Sequence, residues 1–234
     1  MYWMKKILIF GASGSIGKNI DNKFKKNKWK TTKITRSKNK KDFITWNPFE
    51  KIGVDTLKKL LKAGPFDAVC WCQGVNFNDN IENFTNYKFE EINKANVSFI
   101  LNTLKILLKK KIIKNKSKLC VISSIWQDIS RNNKLSYSVS KSALKGLILS
   151  LSNELGKKNI LINAILPGPV NSEMTRKNLT RSQLKTIKNS TNFKKLISLN
   201  DVSNTAYFLC SELNTAVTGN FIKLDYGFTY VRNF

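Results

Sequence analysis

The first seventeen residues constrain this chain most. Lys6 to Phe10 is a short, mostly apolar run that reads as a buried strand, and Gly11-Ala12-Ser13-Gly14-Ser15-Ile16-Gly17 follows at once. After it Ile20 and Phe24 recur at helical spacing. A strand, a glycine turn and a helix start in that order gather backbone N–H groups and the positive helix end where a pyrophosphate can sit. A lone glycine pattern carries little weight, but its place on the first strand favours a dinucleotide site over a mere tight turn.

The rest of the chain supplies the sheet that such a turn needs. Lys30 to Thr35 is a second strand candidate and ends at Arg36-Ser37-Lys38. An acid here would hold the ribose 2′-hydroxyl of NAD, whereas a guanidinium and a hydroxyl suit the 2′-phosphate of NADP. No Asp or Glu lies between Asp21 and Asp42, so Arg36 and Ser37 favour NADP(H), with NAD(H) as the alternative. Phe43 to Trp46 reads as a short strand, Asp55 to Lys62 as a helix, and Ala68 to Cys72 as a central parallel strand buried on both faces. Phe84 to Leu108 reads mostly as helix with Asn96 among apolar neighbours. Leu119 to Ile122 is another strand, with Ser123-Ser124 at its carboxyl end, the edge where open α/β sheets bind ligands. A helix from Tyr137 to about Leu155 precedes the strand Ile160 to Leu166 and Pro167-Gly168-Pro169. The polar stretch 170–199 reads as a substrate lid, followed by a helix over Val202 to Leu213 and a strand over Phe221 to Leu224. No repeat or low-complexity linker divides the chain, so residues 1–234 are expected to form a single domain.

Tyr137-Ser138-Val139-Ser140-Lys141 carries the chemistry. Residues i and i+4 share a helix face, so the phenol and the ammonium come within reach of each other. A fixed cation favours phenolate and is expected to lower the phenol pKa from about 10. Taken alone, a surface Tyr and Lys sharing a face is the commoner meaning of the pattern. Histidine is absent, which excludes Ser-His-Asp hydrolysis and His-based zinc sites. Acid–base work falls to Tyr, Lys, Asp or Glu.

With 41 basic against 15 acidic residues, the formal charge is +26. A polyanionic partner would explain it. The basic residues are mostly scattered Lys beside many Asn and Ile, so compositional drift explains it better, and no specific nucleic-acid partner is expected. No apolar run approaches the ~20 residues of a membrane span, and Met1-Tyr2-Trp3-Met4-Lys5-Lys6 leads into too short an apolar region for a secretory signal. A cytoplasmic location is expected. Cys70, Cys72, Cys120 and Cys210 lie in apolar stretches without metal-type spacing, so they read as small buried hydrophobes and no metal is expected.

Together these pieces resemble the short-chain dehydrogenase/reductase family over essentially the whole chain. The match comprises the glycine turn, Tyr137 and Lys141, Ser124 thirteen positions before the tyrosine, Asn96, Ile162-Asn163-Ala164 before Pro167-Gly168, and Thr218-Gly219. The resemblance implies a Rossmann-like, doubly wound parallel β-sheet in a three-layer α/β/α arrangement. It implies hydride transfer between a nicotinamide cofactor and a carbonyl or secondary alcohol. Tyr137 would be general acid or base and Ser124 would hold the carbonyl oxygen. Lys141 would lower the phenol pKa and hold the nicotinamide ribose, and Asn96 would hold a water linking Lys141 to solvent. Gly11, Ser13, Ser15, Ile16 and Gly17 would hold the pyrophosphate and adenosine end, and Gly74 would lie under the cofactor. Pro167, Gly168, Val170 and Ser172 would meet the nicotinamide. A homodimer or homotetramer is implied, built through the helices bearing the Asn and the Tyr and through the last strand.

The chain also departs from the family pattern. The usual glycine turn has glycines first, fifth and seventh, whereas here the fifth position is Ser15 and Gly14 precedes it. Many members read Asn-Asn-Ala-Gly where this chain has Trp71-Cys72-Gln73-Gly74, and Trp46-Asn47 is the counterpart suggested for an Asp that meets the adenine. Between Glu173 and Asp201 there is no acid, while Arg176, Lys177, Arg181, Lys185, Lys188, Lys194 and Lys195 fall there. A basic lid suggests an anionic substrate such as a nucleotide-linked sugar, a polysaccharide precursor or an acyl-carrier thioester; lysine drift explains it equally well. The rival to an enzyme is an NADP(H)-binding redox-sensing regulator, which would have lost the tyrosine or the lysine.

Overall fold

The computed structural model describes residues 4–38, 40–191 and 193–230; Met1, Tyr2, Trp3 and the Lys177 side chain lie outside the described residues. The strands are β1 (Lys6–Phe10), β2 (Lys30–Thr35), β3 (Ile44–Thr45), β4 (Phe66–Trp71), β5 (Ile113–Ile122), β6 (Leu161–Pro167) and β7 (Phe221–Leu224). They form one seven-stranded sheet in the order β3-β2-β1-β4-β5-β6-β7, and every neighbouring pair is parallel. Strand order reverses between β1 and β4, which opens a crevice at their carboxyl ends.

Side-chain alternation along the strands builds two cores. Leu8, Phe10, Val69, Trp71, Leu119 and Val121 face one side. There they meet Leu60 of α2 (Val54–Ala63), Leu104 and Leu107 of α4 (Phe99–Lys109), and Leu144 and Ile148 of α5 (Leu135–Glu154). Ile7, Ile9, Ala68, Cys70, Cys120 and Ile122 face the other. They are covered by Ile20 and Phe24 of α1 (Ser15–Lys26) and by Val202, Ala206 and Leu209 of α8 (Leu199–Cys210). This is the doubly wound, three-layer α/β/α architecture expected from the sequence. Cys70, Cys120 and Cys210 are fully buried core residues, while Cys72 sits half-buried with its Sγ 3.5 Å from that of Cys70.

The elements depart from expectation mainly at their ends. β5 begins six residues before Leu119, on Ile113-Lys114-Asn115-Lys116, whose polarity hides it; Lys114 pairs with Asp67 of β4 at 2.7 Å. The stretch read as Phe84 to Leu108 is α3 (Asn86–Asn93), a π-helical turn over Lys94–Ser98, and α4. The irregular lid is two helices, α6 (Glu173–Asn178) and α7 (Arg181–Asn189). A capping box starts α7, Thr180 accepting from the Gln183 amide and Gln183 from the Thr180 amide. A second one, Ser198 with Asp201, starts α8 three residues before Val202, and the helix ends at Cys210 rather than Leu213. Among the described residues no helix is long and apolar enough to cross a membrane.

Candidate active site

The carboxyl ends of β1, β4, β5 and β6 converge on two cavities. The first, about 180 Å³, is walled by Gly11, Ser13, Gly14, Thr35, Arg36, Trp46, Gln73, Gly74 and Phe99 among others. The geometry there demands glycine. Gly11 has φ of +68° and a Cβ on it would lie 2.6 Å from the Gln73 nitrogen; a Cβ on Gly17 would lie 2.4 Å from the Gly11 oxygen. Gly14 is looser, since its Cβ would meet nothing nearer than 3.5 Å. α1 begins at Ser15 with no acid in its first turn, so its free amides and positive end face the crevice. Ser13 Oγ lies 3.0 Å from Thr35 Oγ1, which accepts the Ser37 amide at 3.3 Å. Arg36 and Ser37 are exposed, and only Arg36 lines the cavity. Both polar atoms of the Gln73 carboxamide are buried at this wall without a partner among the described residues. Glycine cradle, bare helix start, orphaned amide and guanidinium fit a phosphorylated dinucleotide. Trp46 forms part of the wall but mostly packs in the core against Phe10 and Phe99, and Asn47 turns away to Glu50.

The second cavity, about 160 Å³, brings together Ile16, Ser124, Tyr137, Pro167, Gly168, Val170 and Ser172. Two positioning effects hold Tyr137 there. α5 starts at Leu135, before the tyrosine, because buried Asp79 accepts hydrogen bonds from the Ser136 amide (3.1 Å) and hydroxyl and so caps the helix from a distant loop. Ser124 follows the end of β5 and caps the next 3₁₀ turn by accepting from the Trp126 amide at 3.3 Å. The Ser124 side chain also lies close enough to the phenol to favour its ionised form.

Lys141 is 4% exposed, donates to the Ile122 carbonyl at 3.0 Å and lies 5.6 Å from the Tyr137 ring centre. Here the expected effect on the phenol is reversed. Burial pushes the Tyr137 pKa up to about 12, with neighbouring Ser124 pulling weakly the other way, and burial pushes Lys141 down to about 8. The cause is desolvation of both charged forms, with the ammonium anchored on a carbonyl rather than on the phenol oxygen. Asn96 sits in the π-helical turn, a feature frequent at functional sites. Its Oδ1 accepts the Val75 amide at 2.8 Å, and its Nδ2 donates to the Val75 carbonyl at 3.1 Å and to Ser140 Oγ at 3.0 Å.

Ser172 caps α6, while Ser15 and Gly17 shape the first turn of α1 without lining either cavity. The lid contributes Thr175, Leu179 and Ile187 to the second cavity; its described basic side chains do not line it. Sequence reasoning missed Asp79, Trp126, Arg131 and Lys134. Only Lys134, three residues before the tyrosine and so on its helix face, left a signal.

A model of the family described as Enoyl-(Acyl carrier protein) reductase matches residues 53–229. A 3-oxoacyl-[acyl-carrier-protein] reductase from Buchnera aphidicola subsp. Schizaphis graminum is 27% identical over 66% of this chain, a stretch that spans 63% of that relative's length. Another of that name, from Buchnera aphidicola subsp. Acyrthosiphon pisum, is 24% identical over 94% of this chain and 95% of its own. The crystal structure of a short chain dehydrogenase family protein from Francisella tularensis superposes with a TM-score of 0.86, covering 97% of this chain and 99% of its own at 20% identity. With its glycine turn, parallel sheet and Tyr137 and Lys141 on α5, the chain belongs to the short-chain dehydrogenase/reductase family.

Proposed function

We propose that the protein is an NADP(H)-preferring oxidoreductase that interconverts a carbonyl and a secondary alcohol, with Tyr137, Ser124, Lys141 and Asn96 as its acid–base machinery. The carrying observation is that Tyr137 and Ser124 line one cavity, with the buried Lys141 ammonium 5.6 Å from the centre of the phenol ring. A phenol whose pKa stands near 12 holds its proton at neutral pH and is still a far better donor than an aliphatic alcohol. Ser124 adds a second donor where negative charge develops on oxygen. Bound cofactor supplies or accepts the hydride. Lys141 holds positive charge behind the phenol, and Asn96 braces the helix start through Ser140.

Gly11, Ser13, Ser15, Ile16 and Gly17 would hold the pyrophosphate side and Arg36 with Ser37 the 2′-phosphate. Pro167, Gly168, Val170 and Ser172 would hold the nicotinamide. The relatives' names supply acyl-carrier-linked substrates, and the excess of basic residues suits an anionic substrate of that kind or a nucleotide sugar. Leu101 on α4 and Val139 and Leu149 on α5 are exposed apolar side chains that favour a homo-oligomer through those helices.

The test is NADPH and NADH binding, followed by cofactor oxidation against ketones, acyl thioesters and keto-sugars. Turnover that falls at least about 100-fold in Tyr137→Phe while NADPH still binds supports the reading. Tight NADPH binding with no turnover across the panel favours a non-catalytic sensor.

A further inference from the structure

The catalytic cavity carries charge of one sign. Arg131 and Lys134 line it beside Trp126 and Tyr137, and no carboxylate is among its described lining residues. Lys134 is 3% exposed and immediately precedes α5, where the helix end favours anions and disfavours cations. Its Nζ donates to Asn76 Oδ1 at 2.7 Å and Asn78 Oδ1 at 2.6 Å, and reaches the Phe77 carbonyl only at 3.5 Å. One N–H therefore lacks a good partner. The nearby carboxylate, Asp79, is committed to the amide and hydroxyl of Ser136. Among the described residues neither Lys134 nor Arg131 forms a salt bridge. Burial first, and Arg131 second, hold the Lys134 pKa down to about 8, against a smaller pull from Asp79.

A buried cation with neutral partners and a second cation beside it is costly until an anion joins it. Its position defines where that anion would be. The Lys134 ammonium lies 5.7 Å from the centre of the Tyr137 ring, and the Arg131 guanidinium lies 5.8 Å from the Trp126 ring. Beyond Arg131 the cavity continues into a mainly apolar groove of about 340 Å³ between α7 and the turn after β5, walled by Ile129, Leu179, Ile187 and Phe228. The two spaces share Trp126, Arg131, Leu179 and Ile187.

We propose that Lys134 and Arg131 form an anion subsite, so that the preferred substrate bears a carboxylate or phosphate within a few bonds of its reacting carbonyl and an apolar remainder that leaves along the groove. This deepens the oxidoreductase reading and rests on it. It also moves substrate charge recognition from the exposed lysines of the lid to two residues just ahead of α5.

Calorimetry on the NADPH-saturated protein tests the subsite without requiring turnover. Two matched pairs serve as probes, 3-oxooctanoate with its methyl ester and dihydroxyacetone phosphate with dihydroxyacetone; they separate carboxylate from phosphate. At least one anion is expected to bind tighter than its neutral partner by about tenfold or more. The ratio should collapse towards one in Arg131→Gln and return in part in Arg131→Lys. Because Arg131 is exposed on a loop, its replacement leaves the fold in place; Lys134→Gln is the second variant. A ratio near one in wild type, a ratio unchanged in Arg131→Gln, or no binding by any probe overturns the subsite. Tight NADPH binding with no turnover of any ketone, acyl thioester or keto-sugar would instead overturn the oxidoreductase reading.

Discussion

Asn96 Nδ2 donates to Ser140 Oγ at 3.0 Å, and Ser140 Oγ donates in turn to the Tyr137 carbonyl at 2.8 Å. With the two bonds from Asn96 to Val75, this ties the loop after β4 to the first turn of α5. Asn96→Ala leaves the Val75 N–H and C=O without their side-chain partner, and is expected to cost about 1–3 kcal/mol in urea unfolding with the denaturant slope unchanged. Because the same bonds hold the tyrosine helix, activity should fall further than the lost stability explains.

The sequence made the architecture legible where periodicity is strong. Buried strands such as Ile7 to Phe10 and Val69 to Trp71 alternate between two cores, and that signal is local. Tyr137 and Lys141 were legible because four residues make one helical turn. The Ile162-Asn163 and Thr218-Gly219 matches also have a physical role. Asn163 Nδ2 donates to the Val217 carbonyl at 2.7 Å and Thr218 Oγ1 accepts the Ile162 amide at 3.1 Å, locking the approach to β7 onto β6. What stayed hidden depends on distant partners: Asp79 caps a helix 57 residues away, and the ionisation of Tyr137 follows burial, which helical spacing alone does not report. The helices of the lid were missed although Thr180 and Gln183 carry the capping-box spacing.

The glycine turn separates into required and tolerant positions. Gly17→Ala places a Cβ 2.4 Å from the Gly11 oxygen and Gly11→Ala adds a left-handed backbone at φ +68°. Gly14→Ala meets its nearest atom at 3.5 Å. Dinucleotide binding, followed by NADPH fluorescence, is therefore expected to survive Gly14→Ala and to be lost in Gly17→Ala. Gly11→Ala should also lower stability by at least about 1–2 kcal/mol.

In the proposed NADP(H) reading, Arg36 supplies the charge that distinguishes the two cofactors. It is exposed at the end of β2 and lines the adenosine-side cavity with Ser13 and Thr35. A charge-assisted bond to a 2′-phosphate is worth roughly 1.5–3 kcal/mol. Arg36→Ala is thus expected to weaken NADPH binding by about tenfold or more and NADH binding much less. Equal weakening of both would place the 2′-phosphate elsewhere.

Lys141 gives a pH signature of its own. Its folded pKa stands at about 8, against the ordinary 10.5, because its ammonium is buried. Below pH 8 both folded and unfolded chains hold the proton, and the folded chain carries the full cost of burying it. Between 8 and 10.5 the unfolded chain still holds a proton that the folded chain has released, so stability rises with pH through this window. The converse holds for Tyr137, whose folded pKa of about 12 exceeds the ordinary 10.0, so its contribution is lost as pH climbs from 10 to 12. Comparing wild type with Lys141→Met isolates the lysine, since Lys134 is common to both. From pH 7 to pH 10, wild-type stability should rise by roughly 2.5 kcal/mol relative to the variant. Urea unfolding at pH 7, 8, 9 and 10 measures it, and parallel curves for the two proteins would show that the Lys141 ammonium is solvated in the folded chain.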